Sequence, residues 1–124
     1  WATHMIGHEL TALYGIDHAR TLAIVLPQVM QARREAKREK LLQYAARVWQ
    51  ITEGSDDERI DAAIARTAQF FESVGIPTRL SAYQLGGEAV DAVVKALTEH
   101  GMVKLGEQRA ITPEISRAIL EAAL

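Results

Sequence analysis

Three of the four histidines in this 124-residue chain, His4, His8 and His18, fall within its first nineteen positions. Imidazole is the commonest protein metal ligand and the side chain best suited to proton transfer near neutral pH. On a helix, His4, His8 and Thr11 lie within about one-sixth of a turn of each other. They form a polar face in a segment whose other positions include Met5, Ile6, Leu10 and Leu13. Histidines at i and i+4 can chelate one ion, as in the helical zinc proteases. The stretch GHELTA has His8-Glu9 but Ala12 where the second His of H-E-x-x-H would stand, so that protease site is excluded. A catalytic metal usually has three or four protein ligands. The nearest acids, Glu9 and Asp17, do not clearly share the His4 face. Spacing alone therefore gives an incomplete metal site, with histidines bonded to backbone carbonyls as the open alternative.

The elements that must position these residues read as helices. Residues 2–14 form a first segment stopped by Gly15, and residues 18–32 a second. Within the second, Leu22 to Leu26 are apolar on every side, which predicts all-round burial, and Pro27 predicts a kink or break. Residues 34–50 predict a third helix with Leu41, Leu42, Ala45, Val48 and Trp49 inward. Ser55-Asp56-Asp57-Glu58 has the form of a capping box, opening a fourth helix with Ile60, Ile64, Phe71 and Val74 on its inner stripe. Gly75 and Pro77 end it. Residues 78–87 predict a loop or short helical turn. Val90, Val93, Val94 and Leu97 mark a fifth helix ending at His100-Gly101, with His100 complementing the helix dipole. Thr112-Pro113 opens a last helix on Ile115, Ala118, Ile119 and Ala122. The fold class is all-α, with about six helices in one domain over residues 1–124.

Composition bounds the function. Hydrophobic residues at 48% and charged residues at 24% describe a globular chain. A net charge of −2 argues against a nucleic-acid partner. The run RREAKREK at 33–40 then reads as a solvated helix face. The absence of cysteine excludes disulfides, thiol nucleophiles and zinc–thiolate sites. No apolar run approaches a membrane span, so a cytoplasmic protein without a membrane partner is expected. Trp49, Phe70 and Phe71 are expected in the core.

The spacing H-x-x-x-H-x(9)-H, followed by an apolar helix running into Leu26-Pro27, resembles the metal-binding segment of the iron-containing, or group III, alcohol dehydrogenases. LLQYAARVW, TEGSDDERIDAAI, FFESVGIPTRLSAY and HGMVKLGE are similar to later helices of that family's C-terminal half. The likeness covers essentially the whole chain and is nearest the NADPH-dependent aldehyde reductase and butanol dehydrogenase subgroup. The commoner family form has Pro-Leu-Gly after the middle His and Pro-His-Gly at the last one. Here Glu9-Leu10-Thr11 and Asp17-His18-Ala19 stand there, which suits the subgroup and leaves the three histidines unaffected.

The resemblance implies that His4 and His18 bind one Fe²⁺ or Zn²⁺ and that His8 serves catalysis near the nicotinamide and substrate. It also implies an Asp-x-x-x-His pair of further ligands on an earlier helix, and an N-terminal α/β domain holding NADP(H) or NAD(H). Neither Asp-x-x-x-His nor a glycine-rich phosphate loop occurs in these residues; Gly86-Gly87 is a poor imitation. The chain is therefore expected to be the last third of such an enzyme, with Trp1 packed against the preceding half. The implied reaction is metal-assisted hydride transfer between a primary alcohol and an aldehyde, inactive and weak in metal when these residues stand alone. The expected partners are the small substrate, the protein's own N-terminal domain and a second copy in a dimer. The competing reading is a free-standing helical interaction or oligomerisation module that keeps the scaffold without the chemistry.

Overall fold

The computed structural model describes residues 2–106 and 108–124. The expectation for Trp1 lies outside the described residues. Among the described residues, six α-helices and one short 3₁₀ turn follow in order: α1 (Ala2–Tyr14), α2 (His18–Ala32), α3 (Arg38–Val48), α4 (Asp56–Ser73), the 3₁₀ turn Leu80–Tyr83, α5 (Gly87–Glu99) and α6 (Pro113–Ala122). Among the described residues the only extended pairing is an isolated antiparallel bridge between Leu105 and Ile111. The all-α expectation holds.

The α1–α2 pair is the centre of the structure. α5 packs on α1, α6 packs on both α5 and α2, and α4 joins the α3–α4 pair to α2. The main core gathers Ile6, Leu10, Ile24, Val25, Val90, Val93, Leu97, Ile119 and Leu120 between α1, α2, α5 and α6. Leu41, Ala45, Ile60 and Ala63 are buried on the facing helices α3 and α4. These are the i, i+3/i+4 stripes that amphipathic helices turn inward.

Several local expectations are corrected. Of the kink or break expected at Pro27, the break does not occur: α2 continues through Pro27, which is itself buried. Packing around α2 outweighs the backbone hydrogen bond that proline removes. Leu22 and Leu26 are only half-buried, so burial around that segment is not complete. α3 begins at Arg38 rather than 34, because residues 33–37 form turns. Its buried face is Leu41 and Ala45, while Leu42 and Trp49 are half-buried and Val48 is 57% exposed. α4 buries Ile60, Ala63 and Thr67, and Val74 at 55% exposure stands outside the core. α6 buries Ser116, Ile119 and Leu120, a face turned about one position from the one predicted, so Ala118 and Ala122 are exposed.

Two cap readings fare differently. Thr112 Oγ1 accepts from the Ile115 amide at 3.4 Å, as its position before Pro113 predicts. Ser55 Oγ accepts from the Glu58 amide at 3.2 Å. The return half of that capping box is altered: the Glu58 carboxylate accepts from the Ser55 hydroxyl at 3.1 Å instead of from its amide.

The basic run is solvated at Glu35, Ala36, Glu39 and Lys40, but its half-buried arginines are paired. Arg34 bonds to Asp61 and Asp57, and Arg38 bonds to Asp57 and Glu35. These contacts tie the α2–α3 connection to the first turns of α4. The Asp57 carboxyl is held below its ordinary range, chiefly by the Arg38 hydrogen bond and then by the Arg38 charge. The expected aromatic core is instead a surface cluster. Tyr44, Trp49, Phe70 and Phe71 stack in a chain with centroid separations of 6.3, 6.3 and 6.0 Å, and Phe70 is 51% exposed.

Candidate metal centre

The three N-terminal histidines converge. His4 and His8 project from one face of α1, and His18 is the first residue of α2. Between these helices Gly15 turns the chain at φ +69°, a left-handed conformation that costs glycine little. The turn is closed by a hydrogen bond from the Gly15 amide to the Thr11 carbonyl at 2.9 Å. The Thr11 hydroxyl donates to the Ile16 carbonyl at 2.8 Å. Thr11 therefore serves the turn and not the imidazole face. Buried Ile16 anchors the turn, and Asp17 caps α2 by position without a side-chain bond.

The ring centroids of His4 and His18 are 5.3 Å apart with planes tilted by 48°. His8 lies 5.8 Å from His18 and 6.3 Å from His4. Two imidazoles bound to one ion at tetrahedral angles place their centroids about 5 Å apart. The His4–His18 pair matches that separation, and His8 stands somewhat wider of it. The donor set is thus compatible with a shared divalent ion but short of a full ligand shell. Among the described residues, no group of three or more His, Asp or Glu side chains is arranged to hold a metal.

The neighbouring acids are engaged elsewhere. Asp17 forms an exposed ion pair with Arg20 at 3.8 Å. Glu9 is buried, and its Oε1 lies 2.6 Å from Nδ1 of His100 at the C-terminal end of α5. Sequence reasoning placed His100 correctly but missed its partner. The available signal was a lone acid among the apolar residues Ile6, Leu10 and Leu13 of α1. An unpaired charge there would be costly, so a cation or donor was required somewhere.

All three histidines are exposed. They do not line the apolar cleft of about 230 Å³ bounded by Ala2, Leu26, Val29, Met30, Leu41 and Ile111. Nor do they line the open hollow of about 400 Å³ beside Tyr14, Arg20 and Tyr83. The imidazole face is an open surface, with one wall of a site and no cover.

The six-helix arrangement thus brings imidazoles from two successive helices onto one exposed face. The chain belongs to the Fe-containing alcohol dehydrogenase family, whose C-terminal sequence model matches residues 1–124. It is 64% identical over 123 residues to the NADPH-dependent aldehyde reductase YqhD of Escherichia coli (strain K12), covering 99% of this chain and 32% of that protein. It is 33% identical over 126 residues to the probable NADH-dependent butanol dehydrogenase 1 of Bacillus subtilis (strain 168), covering 100% of this chain and 32% of that protein. The solved substrate- and cofactor-free form of the E. coli aldehyde reductase superposes with a TM-score of 0.98 over 100% of this chain and 33% of its own, at 64% identity. The NADH-dependent butanol dehydrogenase A of Thermotoga maritima superposes with a TM-score of 0.86 at 30% identity, over 99% of this chain and 32% of its own. The chain spans about a third of the length of the curated relatives it matches.

Proposed function

We propose that this chain is the helical metal-binding part of an NAD(P)-dependent alcohol dehydrogenase or aldehyde reductase, acting in hydride transfer between a primary alcohol and an aldehyde. The observation that carries the reading is the 5.3 Å separation of the His4 and His18 rings, contributed by two helices and facing the open side of the bundle. The activities of the relatives, aldehyde reduction with NADPH and butanol dehydrogenation with NADH, support it.

Bound there, a divalent Fe²⁺ or Zn²⁺ would supply Lewis acidity toward the substrate oxygen. His4 and His18 would each offer a neutral ring nitrogen to that ion, leaving further positions to ligands and substrate outside this chain. His8, 5.8 Å from His18 and on the same exposed face, would hold a proton beside the reacting oxygen and orient the substrate. The Gly15 turn fixes the first residue of α2 against α1, so the two ligands are preorganised before any ion arrives. NADP(H) or NAD(H) would be held mainly by residues outside this chain.

The test is a chimera that joins the first two-thirds of the E. coli aldehyde reductase to this chain. It is expected to oxidise NADPH with a small aldehyde. Replacing His4 or His18 by Ala is expected to abolish both metal and turnover, whereas His8→Ala is expected to keep the metal and lose rate. An active chimera that tolerates both ligand replacements would refute the proposal. By itself, the 124-residue chain is expected to bind metal weakly and transfer no hydride, because two imidazoles leave most of the coordination shell to water.

A second reading, a helical association module, is favoured by one feature. Val48, Phe70 and Val74 are each more than half exposed, and Trp49 and Phe71 lie beside Phe70. Exposed apolar groups of this kind mark association surfaces when they are contiguous. Self-association of the chain at micromolar concentration, lost in Phe70→Ser, would support that reading.

A further inference from the structure

We propose that Gly7 and Thr21 form a spacing gauge: two positioning residues that set the distance between His4 and His18 by allowing α1 and α2 into backbone-close contact. The inference rests on the reading of His4 and His18 as a ligand pair and adds what holds them at that separation.

A glycine inside a helix is unfavourable by about 1 kcal/mol relative to alanine. Gly7 sits in the interior of α1 and does not adopt a positive φ, so no turn or cap requires it. Space does. A Cβ at position 7 would lie 2.7 Å from Thr21 Oγ1 and 3.2 Å from Thr21 Cβ. Both residues are buried, Thr21 completely. Neither can move its atoms into solvent.

The threonine cannot readily turn aside. Its hydroxyl donates to the His18 carbonyl at 2.7 Å, which holds one of the two χ1 rotamers Thr adopts in helices, and its Cβ, 3.2 Å from the added atom, does not move with χ1 at all. Gly7 is three residues after His4 and one before His8, and Thr21 is three residues after His18. The point of contact is therefore within one helical turn of each imidazole. Moving the Cβ–Oγ1 separation from 2.7 Å to ordinary contact at 3.4 Å would require a shift of about 0.7 Å. Metal ligands must hold their distances to within about 0.2 Å, and a functional constellation tolerates about 0.5 Å. One added methyl group thus exceeds what the ligand pair can absorb.

The test compares the chain with Gly7→Ala, Thr21→Ala and the double variant. Two readouts are taken: Zn²⁺ titration followed by the ring-proton NMR signals of His4 and His18, and the ring-to-ring nuclear Overhauser effect between them without metal. Circular dichroism confirms that each variant is folded. Gly7→Ala is expected to weaken Zn²⁺ binding by about tenfold, the scale seen when groups supporting a metal ligand are altered, and to weaken the ring-to-ring effect. Removing the Thr21 hydroxyl and methyl makes room for the new Cβ, so the double variant is expected to bind as Thr21→Ala does. Unchanged binding in Gly7→Ala, or a double variant much weaker than Thr21→Ala, would overturn the proposal. Should Gly7→Ala not fold, the comparison of the double variant with Thr21→Ala still decides. Should the parent chain, a weak binder by itself, show no Zn²⁺ response at His4 and His18, the ring-to-ring measurement decides the spacing and the metal content of the chimera decides the ligand reading.

Discussion

The Glu9 carboxylate of α1 meets the His100 ring of α5 at 2.6 Å, a contact between residues 91 positions apart in sequence. It is asymmetric: the Glu9 side chain is 10% exposed and the His100 side chain 60%. Removing the histidine strands a buried acceptor, whereas removing both partners does not. His100→Ala is expected to cost about 1.5 kcal/mol, the low end for a hydrogen bond to a charged group, because water can reach the vacated position. Glu9→Leu with His100→Ala, which takes away the buried acceptor as well, is expected to lose less than His100→Ala alone. Urea unfolding of His100→Ala, Glu9→Leu and the double variant checks this, and losses that simply add would show that the pair is not coupled.

The Gly15 turn gives a second prediction. Its φ of +69° is in the left-handed region, and nothing lies within 4 Å of where a Cβ would point. Gly15→Ala is therefore strained by backbone alone, at about 1 kcal/mol, and Gly15→Asn by less, since Asn tolerates this conformation. Thermal melts of the two variants should rank in that order. Equal melts would mean that the turn relaxes without its glycine.

The helices and their order were legible because heptad-like spacing and punctuation agree. Val90, Val93, Val94 and Leu97 are all buried as their spacing predicts, and Gly15, Gly101 and Pro113 stand at or beside the helix ends where such residues belong. Which apolar residues stay outside was not legible. Phe70 and Val74 have the composition of core residues, but α4 packs chiefly against α3 and α2. Residues beyond those contacts remain exposed whatever their hydrophobicity. In the site, the three histidines stood out by their number. The Glu9–His100 and Gly7–Thr21 contacts did not, because each joins two helices and depends on how they pack.

Ile60 and Val74 illustrate the difference energetically. The periodicity of α4 puts both on one stripe, but Ile60 is fully buried and Val74 is 55% exposed. Ile60→Ala is expected to cost about 2–5 kcal/mol and Val74→Ala at most about 0.5 kcal/mol. Chemical denaturation of the pair checks it; comparable losses would put Val74 back in the core.

Acid should loosen the α3–α4 side of the molecule. Asp57 accepts from Arg38 and Arg34, and its carboxyl is held below the ordinary value of 3.8. A depressed carboxyl pKa contributes stability that is present above the unfolded value and is lost as pH falls through the folded one. The difference in melting temperature between the parent chain and Asp57→Asn should be constant from about pH 5 to 7 and vanish toward about pH 2. It should also shrink at about 0.5 M salt, since the pair is exposed. A difference that persists unchanged in acid would mean that the charge of Asp57 contributes nothing.

As two ligands of one catalytic ion, His4 and His18 must govern the metal content of the intact enzyme. In the chimera with the first two-thirds of the E. coli aldehyde reductase, elemental analysis after exhaustive dialysis should find a single equivalent of divalent metal. His4→Ala and His18→Ala should each empty the site, while His8→Ala should leave it filled. Full metal retention in either His4→Ala or His18→Ala would contradict the account.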